Sequence, residues 1–530
     1  MRPIIQEITT AQTPESLVEQ LAGEPGVVLL RSALFDSSPA RYSFVTAQPF
    51  LTLRAFGSRC ELTGDDGAHV QFGNPWQVLD GLMARYELLD EVDLPFPLGG
   101  CFGYWGYELK NFVEPRLPRR AVNDLELPDC HAGFYDSLVA FDHHVSKVWV
   151  ISTGLNADGT RNESRARRQM EFWKVKLQDL HAPSKSALET DKGTTSPLPN
   201  GFPSPPRVSF PRRDERSALR GPPRTAAREK ASAVFLEGGD AARNSAPRVT
   251  STMSRPAFIA AVERAQRYIR AGDIYQVNLA HRLTAACPMG GWQFYEKLTG
   301  VSPAPFSAYL DCGDFQIASS SPELFLRLSG SHILTRPIKG TRPRSADPNR
   351  DAQLTYELQT SPKEMAELVM ITDLLRNDLG RVCEYGSVRV PELVRLERYP
   401  QVQHLVSTVE GRLRPDVPHF AAFASCFPGG SITGAPKIRA MEIIDELEPV
   451  TRGPYTGALG YLGFNRESQL AIAIRTAICK GETACFHAGA GIVADSVPEA
   501  EYDETMAKAC GFLAALDVQP QPDFSPQGVH

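Results

Sequence analysis

Three charged residues near the end of the chain, Glu501, Glu504 and Lys508, are spaced so that they lie on one face of a helix. Two carboxylates on one helix face, joined by a third from another helix, form the kind of oxygen site that Mg²⁺ prefers. Water or an anionic substrate group completes its coordination. The same spacing also allows a solvent-exposed ladder of ion pairs between glutamate and lysine.

A carboxylate from a second helix is available at Glu367, in the segment SPKEMAELVMITDLLRNDLG. Ser361 as the N-cap, Pro362 at the first helical position and Glu364 in a capping box predict a helix that begins here. Glu367 then lies in its first turns, either as a functional carboxylate or as an exposed charge. The buried face of this helix is predicted from apolar spacing to contain Met365, Leu368, Val369, Thr372 and Leu375.

Lys339 lies in the segment TRPIKGTRPR, where proline and glycine constrain the backbone. A lysine that is held against a substrate and shielded from water can act as a nucleophile. A basic turn in contact with solvent is the alternative.

The stretch PGGSITGAPKIRAM is a glycine-rich loop that opens a helix, and helix N-termini bind anions. Pro436 and the spacing of Lys437 do not match a nucleotide-binding phosphate loop. We therefore expect this loop to bind a carboxylate.

The elements that position these residues are predicted to form an α+β protein. Residues 1–181 alternate short β-like runs with turns and contain helical patches at 74–89 and 163–180. Residues 253–517 mix strands and helices without a regular βαβ repeat. Between them, 182–252 are rich in Pro, Ser, Arg and Gly and are predicted to be a disordered linker or insertion. Residues 518–530 form a short tail.

Composition narrows the function classes. The 530 residues carry a net charge of −6, so no global basic field favours nucleic acid. The ten cysteines show no zinc-like spacing, which is typical of a reducing compartment. No apolar run reaches the length of a signal peptide core or a membrane span. We expect a cytoplasmic enzyme that does not act at a membrane.

Six ordered motifs resemble those of the chorismate-utilising enzymes, the family of anthranilate, aminodeoxychorismate, isochorismate and salicylate synthases. The resemblance covers essentially all of 253–517 and is thinner before it, in VVLLRS, ARYSFV and GGCFGYWGYEL. It implies a fold of two orthogonally packed β-sheets flanked by helices. The motifs are AGDIYQVNLAHR, SSSPELF, TRPIKGTRPR, ELVMITDLLRNDLGRV, PGGSITGAPK and AGAGIVADSVPEAEYDETMAK.

The resemblance also implies roles for individual residues. Glu367 and Glu504 look like Mg²⁺ ligands, with Glu501 beside them, and the resemblance implies that the metal binds the ring carboxylate of chorismate. Glu323 resembles the acid that helps the C4 hydroxyl to leave, and His404 the family's active-site histidine. The implied substrate-binding residues are Thr341, Tyr461, Arg475, Gly489, Ala490, Gly491 and Lys508.

Two positions separate activities within the family. Isochorismate and salicylate synthases use a lysine base to deliver water, and this chain has Gln276 there, so ammonia is the expected nucleophile. Aminodeoxychorismate synthases carry PIKGT where anthranilate synthases carry PIAGT, and this chain reads PIKGT at Lys339. The resemblance thus implies amination of chorismate at C4, with anthranilate synthase component I as the alternative. A catalytically inactive paralogue is less consistent with the residues present.

Some family members bind tryptophan between the sheets. Ser32, Arg41, Tyr42 and Ser43 resemble parts of that pocket, whereas Arg31 departs from the acidic residue of tryptophan-inhibited relatives. We see no glutaminase segment, so the resemblance implies a separate glutamine amidotransferase subunit, or free ammonia, as the nitrogen source. The pathway implied is that of p-aminobenzoate and folate.

Overall fold

The computed structural model describes residues 2–32, 41–65, 67–88, 94–178, 249–399, 401–518 and 525–526. Residues Met1–Asp179 and Ala246–His530 form one unit, and Leu180–Ser245 are divided from it. The predicted linker at 182–252 therefore lies outside the described residues, apart from its last four positions.

Within the described residues, the chain forms strands and helices in nearly equal amounts. The strands are β1 (Ile4–Ile8), β2 (Val28–Arg31), β3 (Tyr42–Thr46), β4 (Leu51–Phe56), β5 (Arg59–Gly64), β6 (Gly67–Phe72), β7 (Gly100–Trp105), β8 (Cys130–Tyr135), β9 (Ser137–Asp142), β10 (Lys147–Ser152), β11 (Thr250–Ser251), β12 (Gln276–Ala286), β13 (Phe306–Asp311), β14 (Gln316–Ser321), β15 (Leu324–Ser329), β16 (His332–Arg336), β17 (Ile338–Pro343), β18 (Arg389–Arg398), β19 (Val402–Arg412), β20 (Gly434–Ala435), β21 (Ala458–Gly463), β22 (Glu467–Ile472), β23 (Thr476–Lys480), β24 (Thr483–Ile492) and β25 (Ser525–Pro526).

The helices flank these strands. They are α1 (Pro14–Gln20), α2 (Pro75–Tyr86), α3 (Lys110–Val113), α4 (Glu163–Leu177), α5 (Arg255–Ala271), α6 (Gly290–Val301), α7 (Pro348–Gln359), α8 (Pro362–Gly380), α9 (His419–Cys426), α10 (Lys437–Leu447) and α11 (Pro498–Ala515), with short 3₁₀ turns at Tyr107–Leu109 and Gly430–Ile432. Among the described residues, none of these helices combines the length and the apolar character needed to cross a membrane.

The strands form two large sheets. The first has the order β1-β10-β9-β3-β2-β13-β14-β23-β24-β12-β11-β25, with β20 paired to β12. The second has the order β17-β19-β16-β15-β22-β21-β7-β8-β4-β5-β6, with β18 paired to β19. The recorded pairings are antiparallel except between β11 and β25. The predicted α+β fold with two sheets flanked by helices is confirmed.

Both sheets join strands that precede residue 179 to strands that follow residue 248. In the first sheet β2 pairs with β13, where Leu30 lies opposite Ala308. In the second β7 pairs with β21, where Gly103 lies opposite Gly460. The two ends of the chain therefore share their hydrogen-bond ladders, and the strands that carry the site are not an independent body.

The local sequence signals place the helices well. The patch predicted at 74–89 forms α2, whose N-cap Asn74 accepts a hydrogen bond from the Trp76 amide. The α8 helix begins after Ser361, whose hydroxyl accepts from the Glu364 amide at 3.3 Å, as predicted. The predicted buried face of α8 is wrong at one residue, Val369, which is 44% exposed.

Candidate active site

A cavity of about 530 Å³ lies where β17, β24, α8 and α11 meet. Its volume is within the range of small-molecule sites in proteins. Most of the predicted catalytic, substrate-binding and metal-binding residues line it, although they come from distant parts of the chain. These residues are Glu323, Lys339, Thr341, Glu367, His404, Arg475, Gly489, Gly491, Glu504 and Lys508.

A bulge in β17 presents Lys339 and Thr341 to the cavity. The register of β17 against β19 shifts between these two residues, and the intervening Gly340 has a φ of +65°. A methyl group added at Gly340 would lie 2.7 Å from Leu358 Cδ1, so only glycine fits the position. The PIKGT motif thus uses its glycine to form the bulge that carries the lysine.

Lys339 and Glu323 face each other across part of the cavity. The Lys339 Nζ donates to the backbone oxygen of Ser431 at 3.4 Å and forms no ion pair with any described residue. Glu323 is only 6% exposed, and burial raises its pKa although Ser431 and Lys339 act in the opposite direction. A raised pKa favours the protonated form of a carboxyl group, which is the form that a general acid needs.

His404 is held in its neutral form. Burial, helped by the positive charge of Arg475, lowers the pKa of His404 to about 4. Its Nδ1 lies 2.9 Å from the Thr341 hydroxyl, which ties the histidine on β19 to the bulge on β17. A neutral imidazole of this kind can orient a polar group but does not add charge to the cavity.

Arg475 supplies a positive charge that is not already neutralised. It forms no ion pair with the described residues, and burial lowers its pKa. Its φ of +50° is unusual for a residue other than glycine and turns the chain between β22 and β23. A partly buried guanidinium without a carboxylate partner is suited to bind a carboxylate of a substrate.

Lys508 lies on the α11 side of the cavity. Its Nζ donates to the Gly489 oxygen at 2.8 Å and pairs with Glu504 at 2.7 Å. The Lys508 side chain is thus fixed between strand β24 and Glu504 of α11.

Two of the three carboxylates predicted at the Mg²⁺ site, Glu367 and Glu504, line the cavity. Burial raises the pKa of Glu367, and the nearby negative charge of Glu504 adds to this effect. Burial also acts to raise the pKa of Glu504, but Lys508 outweighs it and the pKa is lowered. Mg²⁺ prefers oxygen ligands, and these two carboxylates lie in a cavity with room for water and an anionic substrate. The described residues contain no group of three or more side chains placed to hold a metal.

Glu501 does not line the cavity, but it lies close enough to Glu504 for the negative charge of Glu504 to help raise its pKa. It is 5% exposed in the first turn of α11 and hydrogen-bonds with the Ser496 side chain. The helical spacing of residues 501, 504 and 508 is right, but the early part of the helix is already packed against the protein.

Two predicted substrate-binding residues also lie outside the cavity. Tyr461 points between the sheets, where its ring stacks on Phe102 with centroids 5.4 Å apart. The tyrosine that lines the cavity is Tyr455, six positions earlier in the chain, and its ring stacks on His487 with centroids 5.0 Å apart. Ala490 is fully buried on the opposite face of β24 from Gly489 and Gly491, as strand alternation requires.

Other cavity residues were missed by sequence reasoning. Lys363 stands one helical turn before Glu367, so the spacing of α8 could have placed it. Asn278 and His487 lie on the paired strands β12 and β24, and nothing in their local sequence marks them.

The glycine-rich loop contributes less than predicted. Ser431 and Ile432 line the cavity, but Lys437 pairs with the buried Asp378 at 2.6 Å. This lysine anchors α10 to α8 and does not face the substrate space.

The predicted tryptophan pocket is nearly closed. Ser32, Tyr42 and Tyr461 line a space of about 30 Å³, which is the room for a single water. Arg41 instead forms a bidentate pair with Asp142, and Ser43 accepts a hydrogen bond from the Ser32 amide at 3.1 Å. In this conformation the pocket has no room for an indole.

Residues 219–514 match the family model described as chorismate binding enzyme. Anthranilate synthase component 1 of Acetivibrio thermocellus is 36% identical, over 97% of this chain and 95% of that protein. Aminodeoxychorismate synthase component 1 of Escherichia coli is also 36% identical, over 95% of this chain and 96% of that protein. The solved structure of anthranilate synthase component I from Streptococcus pneumoniae superposes with a TM-score of 0.69 at 29% identity, covering 90% of this chain and 93% of that one. Because the chain is equally identical to these two enzymes, overall identity does not distinguish between their activities, and only the residues of the site can.

Proposed function

The chain belongs to the family of chorismate binding enzymes, and from that membership we propose that it aminates chorismate at C4. The product is 4-amino-4-deoxychorismate, so the activity is that of an aminodeoxychorismate synthase component 1. The observation that carries the proposal is the position of Lys339, which faces the cavity near the buried acid Glu323 without a carboxylate partner.

In the proposed reaction, the unprotonated Lys339 amine forms a bond to C2 of chorismate as both ring double bonds shift and the C4–O bond breaks. Glu323 gives its proton to the departing oxygen, which leaves as water. Ammonia then adds at C4, both double bonds shift back, and the C2–N bond to Lys339 breaks. The proton that ammonia loses returns to the lysine amine or to Glu323.

Charge in the cavity supports this sequence of displacements. Arg475 and Lys508 are placed to bind the two substrate carboxylates. We propose that Glu367 and Glu504 hold Mg²⁺, which when bound neutralises the ring carboxylate and eases loss of the hydroxyl. The neutral His404, fixed to Thr341, orients polar groups without adding charge.

The alternative is anthranilate synthase component I, which the equal identity to that activity supports. A single attack of ammonia at C2, with no lysine involved, gives the ortho product. Delivery of water is less consistent with the site, because Gln276 is 3% exposed and does not line the cavity. We further propose a cytoplasmic enzyme of p-aminobenzoate and folate synthesis that receives ammonia from a separate glutamine amidotransferase subunit.

The test is product analysis of the purified chain with chorismate, Mg²⁺ and ammonium. Half of each sample is treated with an aminodeoxychorismate lyase before chromatography. We expect p-aminobenzoate only in the treated half. Anthranilate in the untreated half would overturn 4-amination and favour the alternative.

A further inference from the structure

A second cavity, of about 260 Å³, lies next to the catalytic cavity. Arg119 and Asn123, which are exposed, form part of its outer side. Tyr107 and Arg452, each 1% exposed, form part of its inner side. The cavity thus leads from the surface towards the interior.

The Arg452–Glu448 ion pair separates the two cavities. The guanidinium donates to the Glu448 carboxylate at 2.7 and 2.8 Å. It also donates to the backbone oxygens of Asn278, at 2.8 Å, and Ile432, at 3.2 Å. Asn278 and Ile432 line the catalytic cavity, so Arg452 touches the walls of both spaces.

The second cavity contains polar atoms that lack a partner among the described residues. They are Glu108 Oε2, Asn111 Oδ1 and the Tyr107 hydroxyl. Asn111 is 9% exposed and Tyr107 1%, so neither side chain is well solvated. Because buried polar atoms are nearly always hydrogen-bonded in proteins, these oxygens indicate a ligand that donates hydrogen bonds.

The charge of the lining favours a small cation. Lys110 and Arg452 lie over the Tyr107 ring, at 4.5 and 4.7 Å, and do not bond to Glu108 Oε2. When all its groups are ionised, the lining contains four carboxylates (Glu108, Asp129, Asp445 and Glu448) and three cations (Lys110, Arg119 and Arg452). A bound cation would balance the remaining negative charge and would itself favour the ionised form of Glu108.

We propose that the second cavity binds ammonium and supplies neutral ammonia to the catalytic cavity past the Arg452–Glu448 pair. This inference rests on the proposed function, in which ammonia is the nucleophile. Ammonium has one positive charge and four N–H donors, which match the unpartnered oxygens. It fits a space of this size.

Deprotonation explains how nitrogen passes a guanidinium that repels a cation. One N–H bond of ammonium breaks, its electron pair stays on nitrogen, and the proton moves to the Glu108 carboxylate. Burial raises the pKa of Glu108 to about 7, so near neutral pH the group exists in both forms and can pass the proton on to water. Ammonia then crosses as a neutral molecule.

The test measures ammonium-dependent turnover of chorismate by Glu108→Gln and Asn111→Leu, with Glu163→Gln as control. Glutamine keeps an oxygen for the Arg452 amide, which donates to Glu108 at 2.9 Å. Glu163 is an exposed glutamate that pairs with Arg167 on α4. We expect the KM for ammonium to rise about tenfold or more in both cavity variants, because each variant loses one hydrogen bond to a charged group. The KM for chorismate should stay the same, and the control should behave as the wild type.

A binding measurement keeps this inference separate from the proposed function. Without chorismate, ammonium chloride should raise the melting temperature of the wild-type chain above that in equimolar sodium chloride, and Glu108→Gln should abolish the difference. Anthranilate as the product would overturn 4-amination and leave the ammonium site intact. An unchanged ammonium KM in both cavity variants would overturn the site. Equal stabilisation by potassium chloride would overturn its assignment to ammonium.

Discussion

Gly340→Ala tests whether the bulge in β17 is what positions Lys339. An alanine in the left-handed conformation costs roughly 1–2 kcal/mol. Its Cβ would also lie 2.7 Å from Leu358 Cδ1, on a side chain that is fully buried, and overpacking of this kind costs roughly 1–3 kcal/mol. We expect the free energy of unfolding to fall by roughly 2–5 kcal/mol in urea titrations.

The effect on catalysis should be larger than the effect on stability suggests. Relief of the contact moves the backbone of β17 and displaces the Lys339 amine, and a shift of about 1 Å at a reacting group costs on the order of 100-fold in rate. The assay is the rate of 4-aminated product at saturating ammonium, measured at a temperature where the variant is folded.

Gly330→Ala is the matched control for this change. Gly330 also has a positive φ, +55°, but a methyl group there would meet no atom within 4 Å. In this variant the free energy of unfolding should fall only by the conformational cost, roughly 1–2 kcal/mol, and the rate should not change. If the two variants lost the same stability and Gly340→Ala kept its rate, the role assigned to the bulge would be refuted.

Three further outcomes follow from the site and the core. Lys339→Ala should reduce p-aminobenzoate in the lyase-coupled assay by more than about 10³-fold, since it removes the nucleophile; full 4-amination would disprove the covalent role. Glu504→Gln should raise the Mg²⁺ concentration for half-maximal rate more than about tenfold, and an unchanged Mg²⁺ titration would refute the metal assignment. Burial lowers the pKa of His281 to about 4, so the unfolded chain binds one more proton between pH 6.5 and 4 and stability falls as the pH drops. We expect His281→Gln to lose about 3 kcal/mol less than the wild type between pH 7 and 4 in urea titrations, and equal losses would contradict this.

Local signals account for much of the fold. The cap at Ser361 marked the start of α8, because its side-chain oxygen satisfies an amide that the helix leaves free, and the structure shows that Asn74 caps α2 in the same way. The pairing of β2 with β13 had no such signal. These strands are separated by more than 270 residues, and which strands pair is decided by packing between the sheets.

The candidate site was predictable where the chemistry lay within one motif. Glu504 and Lys508 share a helix face, and the structure confirms that both reach the cavity. The failure at Tyr461 has a different cause. Tyr455 and Tyr461 are only six positions apart, but Tyr455 precedes β21 and lines the cavity, whereas Tyr461 lies within β21 and packs between the sheets.

In the reaction that we propose, the ring carbon that receives nitrogen depends on one side chain more than on overall similarity. The anthranilate synthase and the aminodeoxychorismate synthase compared above are equally identical to this chain, so we look for the difference between their products in the residues that line the cavity. In this proposal, Lys339 is the residue whose chemistry changes the number of displacements. One displacement by ammonia leaves nitrogen at C2, whereas attack by lysine followed by ammonia leaves it at C4. Because a backbone oxygen rather than a carboxylate holds its amine, Lys339 can form a bond to the ring without first breaking an ion pair.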